Sequence, residues 1–183
     1  MSFEVLNDFK FHSKVPCEVI EKYKDKIPPE LLAMWKDYGF GSFWNGYLKI
    51  INPDDFREIL DESYFASSYS IPVFATGLGD LITWQKSKYV VAVQYRKGSF
   101  KPISANFVRF MQDLSTEYEY ISKVLENEQY EQAVKKQSML EYDECFGYVP
   151  LLALGGRGKV ENLQKVKIRE HIVLITQTAG RIE

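Results

Sequence analysis

The sequence predicts an α+β fold in which a central antiparallel meander sheet is flanked by helices at both chain ends. Three observations carry that expectation. Short apolar segments in the middle of the chain are joined by spacers too brief to hold a crossover helix. Toward each end, apolar residues recur at three- and four-residue steps, the spacing of one helix face. The 183 residues suit one domain or two small intertwined ones, and a chain of that size buries roughly 70% of its unfolded surface without needing a metal or disulfide staple.

In chain order, residues 16–26 read as a helix opened by a proline, with Val19, Ile20 and Tyr23 on one side. Ile27-Pro28-Pro29 breaks it. A second helix over 29–38 carries Leu31, Leu32, Met34, Trp35 and Tyr38 as a wide apolar face, and Gly39 and Gly41 stop it. Residues 47–51 are a strand candidate. Asn52 then caps a third helix over 54–60, with acids in its first turn. Segments 73–76, 81–85, 89–95 and 100–103 form the meander, joined by spacers such as Lys86-Ser87-Lys88. Ser104 caps one long helical segment, in which Phe107, Phe110, Met111, Leu114, Tyr118, Ile121 and Leu125 share a stripe. A polar helix continues over 127–138, residues 142–156 are a mostly apolar loop or strand, and 166–178 close the chain as a helix.

Bulk composition excludes several classes. A net charge of −2 provides no overall basic field for nucleic acid or anionic lipid. The two cysteines, Cys17 and Cys145, are too few for a disulfide framework and fit a reducing compartment. The opening residues carry acids and no apolar run of a signal peptide, and no apolar stretch approaches the ~20 residues of a membrane helix. A cytoplasmic location follows as the expectation.

Chemistry-bearing patterns are sparse. His12 and His171 lack a second ligand at helical spacing, so no metal site is expected. Cys145 lies between Glu144 and Phe146, surroundings that raise a thiol pKa, and an enzyme would need Cys145, Glu144 and a histidine to assemble from afar. Leu154-Gly155-Gly156-Arg157-Gly158-Lys159 departs from a phosphate loop, because Val160 stands where Ser or Thr would hold magnesium. Gly77-Leu78-Gly79-Asp80 leads into a strand, which suits a hairpin turn and not a dinucleotide fingerprint. No cofactor is expected. Charge is segregated: residues 113–144 hold nine acids against Lys123, Lys135 and Lys136, and basic residues dominate 157–169. The acidic stretch is either a solvated helix face or a steering surface for a basic partner.

Two blocks resemble a known family. Ile27-Pro28-Pro29-Glu30-Leu31-Leu32-Ala33-Met34-Trp35-Lys36-Asp37-Tyr38-Gly39-Phe40-Gly41, followed by Gly46-Tyr47-Leu48-Lys49-Ile50-Ile51-Asn52-Pro53, is similar to the N-terminal GAD-like domain of bacterial immunity proteins. Cys145-Phe146-Gly147-Tyr148-Val149-Pro150, Leu152-Ala153-Leu154-Gly155-Gly156 and Val160-Glu161-Asn162-Leu163 look like the C-terminal domain of those proteins. Ala75-Thr76-Gly77-Leu78-Gly79-Asp80-Leu81-Ile82-Thr83-Trp84 resembles the segment where that second module begins, and the wider SUKH group of immunity proteins shares the proline-led helix, glycine turn and short strand. The resemblance implies a GAD-like module over 1–103 and an immunity-type module over 104–183, packed as one unit. It implies a cytoplasmic protein that binds a cognate toxin, a type VI secretion nuclease, with no catalytic residues of its own. Interface hot spots favour Trp, Tyr and Arg, so the candidate partner contacts are Trp44, Tyr47 and Tyr64 in the loops, with Tyr118, Glu119, Glu126 and Glu128 on the acidic helix. The alternative is an RNA-associated, non-catalytic binding module using the basic residues between Arg157 and Arg169.

Overall fold

The computed structural model describes residues 3–183. Strand β1 (Lys10–Ser13) precedes helices α1 (Cys17–Tyr23) and α2 (Pro29–Asp37), then strands β2 (Phe40–Phe43) and β3 (Leu48–Ile50). Helix α3 (Pro53–Ser63) leads into β4 (Ser70–Thr76), β5 (Leu81–Gln85), β6 (Tyr89–Gln94) and β7 (Ser99–Ser104). Helices α4 (Phe107–Thr116), α5 (Tyr118–Leu125) and α6 (Asn127–Gln137) follow, then β8 (Glu144–Tyr148), β9 (Leu163–Lys167) and α7 (Ile168–Ala179). The first seven strands form one sheet in sequence order, every neighbouring pair antiparallel. That is the predicted meander, and the fold is α+β. Strands β8 and β9 pair separately as a two-stranded ribbon.

The central strands β3–β6 are buried on both faces: successive residues of a strand point to opposite sides, and each side meets an apolar cluster. Phe74, Ile82 and Ala92 join one apolar cluster with Tyr23, Leu31 and Trp35 of α1 and α2 and with Phe110, Ile121 and Ala133 of α4–α6. Their chain neighbours Ala75, Leu81 and Val93 join a second cluster with Phe56 and Leu60 of α3 and Ile168, Ile172 and Ile175 of α7. Apolar runs such as Val90-Val91-Ala92-Val93 therefore serve two cores at once. Helix starts follow the capping rules: Asn52 accepts the Asp54 N–H at 3.1 Å with Pro53 in the first turn of α3.

Several boundaries differ from expectation. Residues 40–43 are a strand, because Gly41 lets β1 approach β2: a Cβ there would sit 2.3 Å from the Lys10 carbonyl oxygen. The helical segment after β7 is capped by Asn106, whose side chain accepts the Arg109 N–H at 2.8 Å, and Ser104 instead accepts the Asn106 N–H. That segment is also broken at Glu117, just after the Thr116 hydroxyl bonds back to the Gln112 carbonyl. Val166 and Lys167 belong to β9, so the last helix begins at Ile168. No helix among the described residues is long and apolar enough to cross a membrane.

Candidate functional site

Four of the sequence-predicted residues, Trp44, Tyr47, Tyr118 and Glu126, converge where the β2–β3 turn meets α5 and α6. The turn is tight: Trp44, Asn45 and Gly46 all have positive φ, at 55°, 55° and 76°. Side chains other than glycine rarely adopt that conformation, and here the Asp8 carboxylate holds it by accepting the N–H groups of Trp44 (3.0 Å) and Asn45 (2.5 Å). Trp44 thereby meets Tyr47 edge-to-face at 5.4 Å and Tyr118 at 5.9 Å, and Tyr47 meets Tyr130 at 5.1 Å. The Tyr47 hydroxyl donates to the Leu125 carbonyl and the Tyr130 hydroxyl to that of Asn45 at 2.9 Å. One aromatic stack thus ties the N-terminal sheet to the α5–α6 corner.

Beside it lies a buried ion cluster. Arg96 pairs with Asp80 at 3.0 Å, both side chains only 3% exposed, and Arg96 and Lys97 both reach the Glu126 carboxylate. Burial raises the Asp80 carboxyl above its ordinary value although Arg96 opposes it. At Glu126 burial acts the same way, but Lys97 and Arg96 outweigh it and hold the carboxyl below the usual range. Glu126 occupies a left-handed backbone position (φ 58°) between α5 and α6, so the cluster fixes the corner at which the helices turn.

Of the predicted contacts, Trp44, Tyr47 and Tyr64 are buried (6%, 0% and 1% exposed). All three rings pack inside the protein: the tight β2–β3 turn folds Trp44 and Tyr47 inward, and Tyr64 is buried at the end of α3. Tyr64 is also remote from the stack, lying against Phe65 and Phe100. Glu126 is engaged by Arg96 and Lys97. Tyr118, Glu119 and Glu128 do face outward, Tyr118 donating to Glu131 at 2.5 Å. Their outward neighbour Tyr120, 56% exposed, escaped the sequence reading. Tyr120 falls off the apolar stripe of α4 and α5, which turns it toward solvent, whereas Tyr118, read as part of that stripe, is 39% exposed where the helical segment breaks at Glu117. Internal pairing trims the acidic field, since Asp113 pairs with Arg109 and Asp143 with Lys167, while Lys136 of the same stretch is drawn to Glu161 outside it. Glu117, Glu119 and Glu128 remain outward without an ion-pair partner among the described residues.

The chemistry-bearing candidates sit differently. Cys145 and His171 both flank Gly79, but both are buried. Burial pushes the Cys145 thiol up to about 12 and lowers His171, so neither is charged at neutral pH. His12 is exposed and stacks on Tyr142, centroids 3.9 Å apart. Among the described residues no group of three or more His, Cys, Asp or Glu is placed to hold a metal ion. Residues 154–159 are an exposed loop following a short 3-10 turn and lead into no α-helix that could cradle phosphate.

The fold is similar to that of the crystal structure of Atu4351 from Agrobacterium tumefaciens. That structure is matched with a TM-score of 0.74 over 96% of this chain and 89% of that one, at 16% identity, a likeness of fold. The chain belongs to the GAD-like domain family, whose model matches residues 3–96, and residues 104–179 match the C-terminal domain of the type VI secretion immunity protein Tdi1. No curated protein matches the sequence.

Proposed function

We propose that this chain neutralises a cognate toxin, a nuclease delivered by type VI secretion, by binding it stoichiometrically in the cytoplasm and without catalysis of its own. The observation that carries the reading is the pair of family matches, which follow one another along the chain and leave few residues outside them. The Tdi1 match supports a type VI immunity role. The surface of α5 and α6 supports direct binding: Tyr118 and Tyr120 stand exposed beside unpaired Glu119 and Glu128, on a corner held rigid by the Arg96 cluster and the Trp44–Tyr47 stack. Large amphipathic rings on a fixed backbone lose little entropy when they bind, and the adjoining carboxylates attract a basic, nucleic-acid-binding surface. Expression of the toxin gene adjacent to this chain's own gene tests the reading. Growth arrest relieved by co-expression, with a complex recovered on size exclusion, is the expected result. Arrest that persists with no complex formed defeats it.

A further inference from the structure

A second surface, far from the α5–α6 corner in composition and charge, lies where α1, the end of α3 and the β5–β6 hairpin meet. Phe65, Tyr69, Tyr89 and Phe100 are 40%, 40%, 36% and 38% exposed, and all four line one depression of about 220 Å³. That depression adjoins one of about 460 Å³ at Tyr69 and Lys86, which line both; Lys26, Arg57 and Trp84 also line the second, and the two side by side make up the trough. Such a grouping of exposed rings marks an interaction surface more often than scattered apolar residues do.

The rings are held in place before any partner arrives. Buried Tyr64 sits beneath Phe65 and Phe100 with centroids 5.1 and 5.6 Å away, and Phe65 and Phe100 are 5.4 Å apart. The hairpin tip is fixed in a left-handed conformation at Lys86 and Ser87 (φ 51° and 52°), and the Lys86 N–H donates to the Tyr69 carbonyl at 3.0 Å. The tip carries the Lys86 ammonium 4.8 Å from the Tyr69 ring centroid and Lys88 5.3 Å from that of Tyr89.

Charge chooses the occupant. Lys22 is matched by Asp54 and Arg57 by Asp61, but Lys26, Lys86 and Lys88 have no carboxylate within ion-pair distance among the described residues. A partner that fills this trough must bring apolar side chains to the rings and carboxylates to the lysines. Three unmatched lysines suit a short acidic segment, whereas a chain of net charge −2 offers no extended basic field to hold a nucleic-acid strand. We propose that this trough is a second docking surface, on the N-terminal module, for an acidic, aromatic- or aliphatic-bearing segment of the cognate toxin. The inference rests on the immunity reading above, and it adds that one toxin is held by two surfaces of opposite charge.

The test uses the full chain and the purified, catalytically inactivated product of the adjacent toxin gene, with affinity measured by calorimetry. Two variants, K86E/K88E and F65S/F100S, change exposed side chains, and their melting temperatures show whether the fold is kept. The expected result is that each weakens toxin binding by about tenfold or more with the fold intact, and that K86E/K88E also flattens its salt dependence. Wild-type affinity in both folded variants overturns the second surface while leaving the immunity reading in place. Absence of toxin binding by the wild-type chain overturns both. Two further outcomes overturn the occupant: a dimer of the chain alone that the variants abolish, or binding of a single-stranded RNA oligonucleotide that the variants abolish.

Discussion

Arg96 shows how much depends on one buried cation. Its guanidinium neutralises Asp80 in the β4–β5 turn and reaches Glu126 at the helical corner, so removing it strands a carboxylate that is 3% exposed. Breaking a buried pair from one side costs about 3–5 kcal/mol, and Arg96→Met is expected to lose that much in urea unfolding. The double variant Arg96→Met/Asp80→Leu should recover part of it, because no charge is then left unpaired. His171 gives the pH dependence. Burial holds it below its ordinary 6.5, so the unfolded chain binds a proton that the folded chain refuses. Its contribution to stability is complete above that value and is lost as the pH falls through and below it. The melting temperature should therefore drop between about pH 7 and pH 5.5, and less steeply in His171→Gln. Gly147 makes the room for this ring: a Cβ there would lie 2.4 Å from His171 Cε1.

Elements were legible in the sequence where local chemistry decided them and obscure where a distant partner did. Asn52-Pro53 marked the start of α3 because the cap is a local hydrogen bond, and 81–85 emerged as β5 because its spacers are short. Strand β1 left no trace: its residues are almost entirely exposed, without alternation, and only pairing with β2 makes them a strand. Val166 of β9 sat inside an apparent helical period until its pairing with Cys145 claimed it. The candidate site divides in the same way. Acidic Glu119 and Glu128 face outward as their positions on polar helices imply, whereas Trp44 and Tyr47 were drawn inward by contacts with Tyr118 and Tyr130 that no local pattern encodes. The turn bearing Trp44 depends on Asp8, which bonds two N–H groups in left-handed backbone. Asp8→Ala should cost about 1–3 kcal/mol and shift Trp44 fluorescence to longer wavelength, while Asp8→Asn keeps part of the stability through its remaining acceptor oxygen.

At the scale of the whole molecule, the two family-matched segments share one core. Phe43, Phe74 and Trp84 of the first lie in the same apolar cluster as Phe110, Ile121 and Phe146 of the second. Lys49, buried in β3, adds a polar tie by donating to the Glu141 carbonyl at 3.0 Å and to that of Glu144, and its burial lowers the ammonium to about 8. Such a body presents its surfaces in fixed relation, which suits the proposed role of binding another protein. Inhibition by stoichiometric binding has a definite end point. Purified toxin cleaving DNA, titrated with this chain, is the most direct measurement: cleavage should fall in proportion to the chain added and cease at equimolar addition. Cleavage that continues undiminished at a large molar excess of the folded chain would contradict the account.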